Sequence, residues 1–154
     1  MAAALSSSPD WAGALARARA HSPFLSRALE RLPDIEALLE DGRIEDALLV
    51  AKAAGDDIED PGVALRRERL ALALALAVGD LAEGLELDRV MRELSTFADR
   101  ALHAAIAHSI ARRVPGAEPD GMIGLALGKH GAGELNYSSD IDPILLFDPE
   151  RLPR

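Results

Sequence analysis

Two aspartates one residue apart, Asp140 and Asp142, open an apolar run in SSDIDPILLFD. Residues i and i+2 of a β-strand lie on one face, so the spacing predicts both carboxylates aimed one way and Ile141 turned into a core. The preceding GKHGAGEL is a glycine-rich turn, and such turns present backbone N–H groups. Paired hard oxygen ligands beside it suit Mg²⁺ and a polyphosphate. The candidate phosphate-binding residues are Gly128, Lys129, Gly131, Gly133 and Ser139. Gly131 and Gly133 would let the backbone approach phosphate closely, and an ordinary turn accounts for the same glycines. Ser139 has two roles open to it, donating to a phosphate oxygen or closing the turn. Lys129 would neutralise phosphate charge or stand solvated. For His130 the alternatives are a general base and a structural histidine.

Two other glycine motifs fail on spacing. A P-loop requires four residues between its glycines and a hydroxyl residue after the lysine. Here Gly124 and Gly128 enclose only three residues, and His130 follows Lys129. A dinucleotide fingerprint needs G-x-G-x-x-G leading into a long helix, whereas Gly128, Gly131 and Gly133 run quickly into a strand.

The elements that must position this stretch are helical. Ser8-Pro9-Asp10 predicts an N-cap, a proline at the first helical position and an acid in the first turn of a helix through Trp11, Leu15 and Arg19. His21-Ser22-Pro23 repeats the signal for a helix carrying Phe24, Leu25, Ala28, Leu29 and Leu32 on one face. Pro33-Asp34 opens a third helix that Gly42 ends. Ile44, Ala47, Leu48 and Ala51 mark a fourth, closed by Gly55. Asp56–Asp60 is an acidic loop, and Asp60-Pro61 begins another helix. Within it LALALALAV alternates as a strand would, but Leu and Ala are strong helix formers and neither is β-branched. A helix apolar all round must be buried. Gly79-Asp80 predicts a break. Leu87, Val90, Met91, Leu94, Ala98, Leu102, Ala105, Ile106, Ile110 and Val114 then keep helical spacing until Pro115-Gly116, a stripe suited to core packing.

Gly116–Gly121 is a polar linker and the best boundary in the chain. It separates a helical region, 1–115, from residues 122–154, where Met122–Leu127 and Ile141–Phe147 fit buried strands. The Arg66-Arg67-Arg69 cluster fits a solvated helix face better than an acidic partner.

Composition narrows the function classes. Hydrophobic residues make up 49% but aromatics only 3%, which favours packed helices of Leu, Ala, Ile and Val. A formal charge of −9 argues against general binding to nucleic acid backbones. With no cysteine, thiolate metal sites, disulfides and thiol catalysis are excluded. MAAALSSSPDW lacks the basic and apolar regions of a secretory signal. The longest purely apolar run, Leu70–Val78, falls short of the roughly 20 residues a membrane helix needs. A soluble cytoplasmic protein is expected, in which the Asn136-Tyr137-Ser138 sequon carries no meaning.

The string GKHGAGELNYSSDID resembles the nucleotidyltransferase pattern of a glycine turn followed by aspartates flanking one apolar residue. With ILLFD after it, it is similar to the family of bifunctional glutamine-synthetase adenylyltransferase/adenylyl-removing enzymes, whose halves each carry a GKLGG-x-ELNYSSDIDL-like signature. HSPFLSRAL, LRRERLALA and MRELSTFADRAL are similar to the first, adenylyl-removing half. The resemblance runs from His21 to Asp148. It implies a helical region leading into the first strands of an α/β nucleotidyltransferase palm. It also implies Mg²⁺ on Asp140 and Asp142, and phosphorolytic removal of AMP from a tyrosine of glutamine synthetase to give ADP. The sister half attaches AMP from ATP, so ATP, ADP and phosphate are the implied ligands. Regulatory PII proteins are implied partners, and Tyr137 is not the modified tyrosine. His130, Ala132 and Pro143 depart from the signature. The family's third acidic residue lies on a later strand. The chain is therefore expected to be a truncated, incomplete domain, inactive alone. The alternative is a catalytically incomplete fragment serving as a helical interaction module. Ile144-Leu145-Leu146-Phe147 is then an aggregation liability.

Overall fold

A computed structural model describes residues 8–153. The residues 1–7 used to exclude a secretory signal lie outside the described residues. The architecture is mostly helical with one small antiparallel sheet, in the order α1 (Trp11–His21), α2 (Pro23–Arg31), α3 (Pro33–Glu40), α4 (Ile44–Lys52), α5 (Pro61–Leu81), α6 (Leu87–Arg113), β1 (Met122–Leu125), α7 (Gly128–Gly131) and β2 (Ile144–Phe147). Among the described residues no helix is long and apolar enough to cross a membrane.

The helix starts follow their caps. Asp10, not Ser8, caps α1, its carboxylate accepting the Gly13 N–H at 2.9 Å. Pro9 therefore lies before the helix. Ser22 caps α2 through the Leu25 N–H, with Pro23 first in the helix, as the sequence predicts. Pro33 opens α3, and Asp60 receives the Val63 N–H at the start of α5. The fourth helix stops at Lys52, three residues short of Gly55.

The chain forms two compact units. The first comprises the chain up to Asp56 together with Arg67–Glu86. Its buried side chains include Leu15, Leu29, Ile35, Leu39 and Leu48, and Leu72, Leu74, Leu76 and Val78 of α5. The Leu/Ala alternation is thus a buried helix, not a strand. The expected break at Gly79 is absent, because α5 continues to Leu81. A Cβ at Gly79 would come within 2.7 Å of Leu85 Cδ1 and 3.1 Å of Ile44 Cδ1. That glycine serves close packing rather than helix termination.

The second unit comprises Asp57–Arg66 and the chain from Leu87 onward. The α6 stripe is real but narrower than its spacing suggests. Val90, Ala98 and Ile110 are buried, while Leu87 and Ala105 are exposed. β1 and β2 pair antiparallel, Met122 opposite Phe147 and Leu125 opposite Ile144. Helix α6 packs on β1, and Gly124 makes that approach possible, since a Cβ there would meet Leu102 Cδ2 at 2.8 Å. Opposite residues of a pair share a face. Ile123, Leu125, Ile144 and Leu146 therefore form one apolar face, and all four are exposed. The expectation of two buried strands is corrected here. The α6 side of β2 is not buried either, with Leu145 and Phe147 exposed, because a two-stranded ribbon has too few neighbours to cover its faces.

Candidate functional site

Residues 126–143 connect the two strands and hold every residue of the candidate site. The glycine turn is wound tighter than its sequence suggests. Gly128–Gly131 forms a single helical turn. The N–H of Gly131 donates to the Leu127 carbonyl at 3.1 Å, Ala132 to Gly128 at 3.0 Å, Gly133 to His130 at 3.0 Å and Glu134 to Lys129 at 2.7 Å. Four N–H groups of the turn are thereby engaged internally. Gly128 and Gly133 have positive φ, +56° and +73°, with open space where a Cβ would stand. Gly131 differs. Its missing side chain makes room for the Ala126 carbonyl oxygen, 2.5 Å from where a Cβ would lie. Lys129 is exposed.

The next segment is sewn by Asn136. Its Oδ1 accepts the Ser138 N–H at 3.1 Å and the Ser139 hydroxyl at 2.9 Å, while its own N–H donates to Ser139 Oγ at 3.0 Å. Ser139 also donates its N–H to the Asn136 carbonyl. Of the two roles open to Ser139, closing the turn is the one this geometry displays.

Asp140 and Asp142 follow in non-ladder backbone, both exposed. The strand expected to start at Ile141 starts at Ile144, and Ile141 is 36% exposed instead of buried. Pro143 has no N–H to give a ladder, and β1 ends at Leu125, opposite Ile144. Asp140 and Asp142 thus lie outside the strand, and the strand periodicity expected to aim both carboxylates one way does not apply to them.

Helix α6 holds this connection at points that the apolar stripe did not reveal. Ser95 is buried; its hydroxyl donates to the Met91 carbonyl at 2.8 Å and accepts the Leu135 N–H at 3.3 Å. One turn further, Asp99 Oδ1 lies 2.9 Å from His130 Nε2. The His130 side chain is 1% exposed and that of Asp99 69%. An ionised carboxylate only accepts, so Nε2 carries the hydrogen. Nδ1 is buried with no hydrogen-bond partner among the described residues. His130 is thus a buried, tethered ring, which matches the structural alternative. The available signal was a Ser and an Asp at i, i+4 beside the stripe in MRELSTFADRAL.

At the base of the ribbon, Asp120 accepts the Gly121 N–H at 2.7 Å and pairs with Arg151 Nη2 at 2.8 Å. The Gly121 hydrogen bond, then the Arg151 guanidinium, hold its carboxyl below the usual aspartate value. In the first unit the Gly13 N–H and Arg17 do the same for Asp10.

Among the described residues no three His, Cys, Asp or Glu side chains cluster closely enough to enclose an ion. The donor set at the site is two exposed carboxylates. That fits Mg²⁺, which keeps several waters and binds through one or two carboxylates plus substrate phosphate. It does not fit a closed structural site, which needs four ligands.

Comparison with known proteins gives first the family: residues 12–154 match the family model of glutamate-ammonia ligase adenylyltransferase. The chain belongs to that family. Similar curated proteins carry the name bifunctional glutamine synthetase adenylyltransferase/adenylyl-removing enzyme. The protein of Caulobacter vibrioides is 39% identical, over 92% of this chain and 16% of its own length. That of Xanthobacter autotrophicus is 37% identical, over 86% of this chain and 15% of its own length. That of Rhizobium meliloti is 35% identical, over 88% and 16%. The chain thus spans about one sixth of the length of these relatives. No solved structure matches it.

Proposed function

We propose that this chain supplies metal and phosphate contacts for removal of AMP from a tyrosine of glutamine synthetase, within the cytoplasm. In that reaction an oxygen of inorganic phosphate attacks the α-phosphorus, the bond to the tyrosyl oxygen breaks, the tyrosine regains its proton and ADP leaves. Asp140 and Asp142 would hold Mg²⁺, which when bound offsets charge building on the transferred phosphoryl group. Lys129 faces solvent beside the turn and would attract the incoming phosphate. Gly128 and Gly133 leave the backbone uncovered on either side of the Gly131 turn. Ser139 holds the approach to Asp140 through Asn136. PII proteins would bias the direction of transfer.

The observation that carries this reading is the placement of two exposed carboxylates directly after a turn closed by three side chain–backbone and hydroxyl hydrogen bonds. The relatives' names, which include an adenylyl-removing enzyme, support it. Calorimetric titration of ADP into the chain, with and without Mg²⁺, tests it. Binding should require Mg²⁺ and weaken at least about tenfold in Asp140→Asn/Asp142→Asn, the loss expected when charged metal ligands are neutralised. Helical circular dichroism should not change. Equal binding without metal, or an unaffected double variant, refutes the assignment.

A further inference from the structure

We propose that Asp99 is a positioning residue for this site, its carboxylate holding the Gly128–Gly133 turn through His130 in the form that receives nucleotide phosphate. The proposal rests on the functional reading above.

His130 is buried to 1% of its side-chain surface, yet a hydrogen bond to Asp99 is its one polar tether among the described residues, because Nδ1 has no partner. A buried imidazole turned away from that carboxylate would leave both nitrogens unsatisfied, so the bond fixes the ring's direction. Ring and turn are linked directly. The His130 carbonyl accepts the Gly133 N–H at 3.0 Å, and Gly133 is the residue at φ +73°. A ring held by Asp99 therefore holds the uncovered Gly133 backbone as well.

A second anchor lies one helical turn earlier on α6, where Ser95 accepts the Leu135 N–H. Side chains at i and i+4 lie on one helix face. The segment between His130 and Leu135 is consequently strung between two fixed points on a single helix. Such bracketing orders the turn before ligand arrives, and a loop ordered in advance loses less freedom on binding. Asp99 itself is mostly exposed and contributes little to the core. Its effect is therefore read at the turn, apart from unfolding of the helices.

Two measurements on the full chain test this, using Asp99→Ala and Asp99→Asn. Amide hydrogen exchange of Gly131–Glu134 without ligand should accelerate about tenfold in Asp99→Ala, because the turn opens more often. Exchange within α6 should stay near wild type, and the melting temperature should fall by no more than about 2–12 °C, the loss of one hydrogen bond to a buried ring. Mg²⁺-ADP affinity should fall about two- to fivefold, as the turn spends less of its time in the competent form. Asp99→Asn keeps an acceptor oxygen and should restore both. Unchanged exchange in Asp99→Ala overturns the proposal, as does global loss of helix or a failure of Asn to rescue. Wild-type binding of Mg²⁺-ADP that Asp99→Ala leaves intact also overturns it. If wild type binds no Mg²⁺-ADP, the functional reading fails, and the exchange measurement alone decides whether Asp99 holds the turn.

Discussion

Replacing Ser95 with alanine tests how firmly α6 holds the candidate site. Ser95 Oγ is the acceptor for the Leu135 N–H, and both residues are buried. Alanine removes that acceptor without giving water access, and a buried donor left unmade costs about 1–3 kcal/mol. The bond is long, 3.3 Å, which argues for the lower part of the range. The serine's other bond, to the Met91 carbonyl, returns to its own helix and is no net loss, since alanine raises helix propensity by up to about 0.5 kcal/mol. The net expectation is about 0.5–2 kcal/mol. For a chain of this size that lowers the melting temperature by about 1–8 °C. Exchange at the Leu135 amide should accelerate by about two- to thirtyfold, the same free energy expressed as a local opening constant. Thermal denaturation and residue-resolved exchange read both effects. Ser95→Thr keeps the hydroxyl and should shift neither strongly. If Ser95→Ala leaves Leu135 exchange unchanged while the protein stays folded, α6 does not hold the loop at Leu135, and only the Asp99 tether remains.

Two further predictions concern the turn and its base. Gly131→Ala places a Cβ 2.5 Å from a backbone oxygen and should cost about 1–3 kcal/mol, whereas Gly133→Ala meets open space and pays only for its positive φ, about 1–2 kcal/mol. Asparagine tolerates that φ, so Gly133→Asn should recover stability in urea titration and Gly131→Asn should not; an equal response to Asn at both sites contradicts the assignment. For pH, the lowered values of Asp120 and Asp10 mean that their contributions are complete above the ordinary aspartate pKa and lost as pH falls through the lowered folded values. Gly121 and Gly13 amide exchange, corrected for intrinsic rates, should therefore hold steady from about pH 8 to pH 5 and lose protection only below about pH 4. Loss of protection nearer neutrality would contradict both pairings.

Local chemistry determined much of this protein. Ser22-Pro23, Pro33 and Asp60-Pro61 begin helices wherever they stand, because a cap or a fixed φ acts within a few residues. The α6 period predicts the helix from Leu87 to one residue past its observed end, and the Leu/Ala run is helical by propensity alone. The string around Asp140 and Asp142 carried the family. Contacts between distant residues decided the rest. Gly79 looks like a breaker until Leu85 and Ile44 are seen to need its space. Asp140, Ile141 and Asp142 look like a strand start until the ladder is found to begin beyond Pro143, where a partner residue exists on β1. His130 permitted two roles from its sequence, and Asp99, distant in the chain, gives the geometry that selects between them. A cap or a helical period is written in neighbouring residues. Burial, strand limits and the tether of a buried ring depend on what the fold brings alongside.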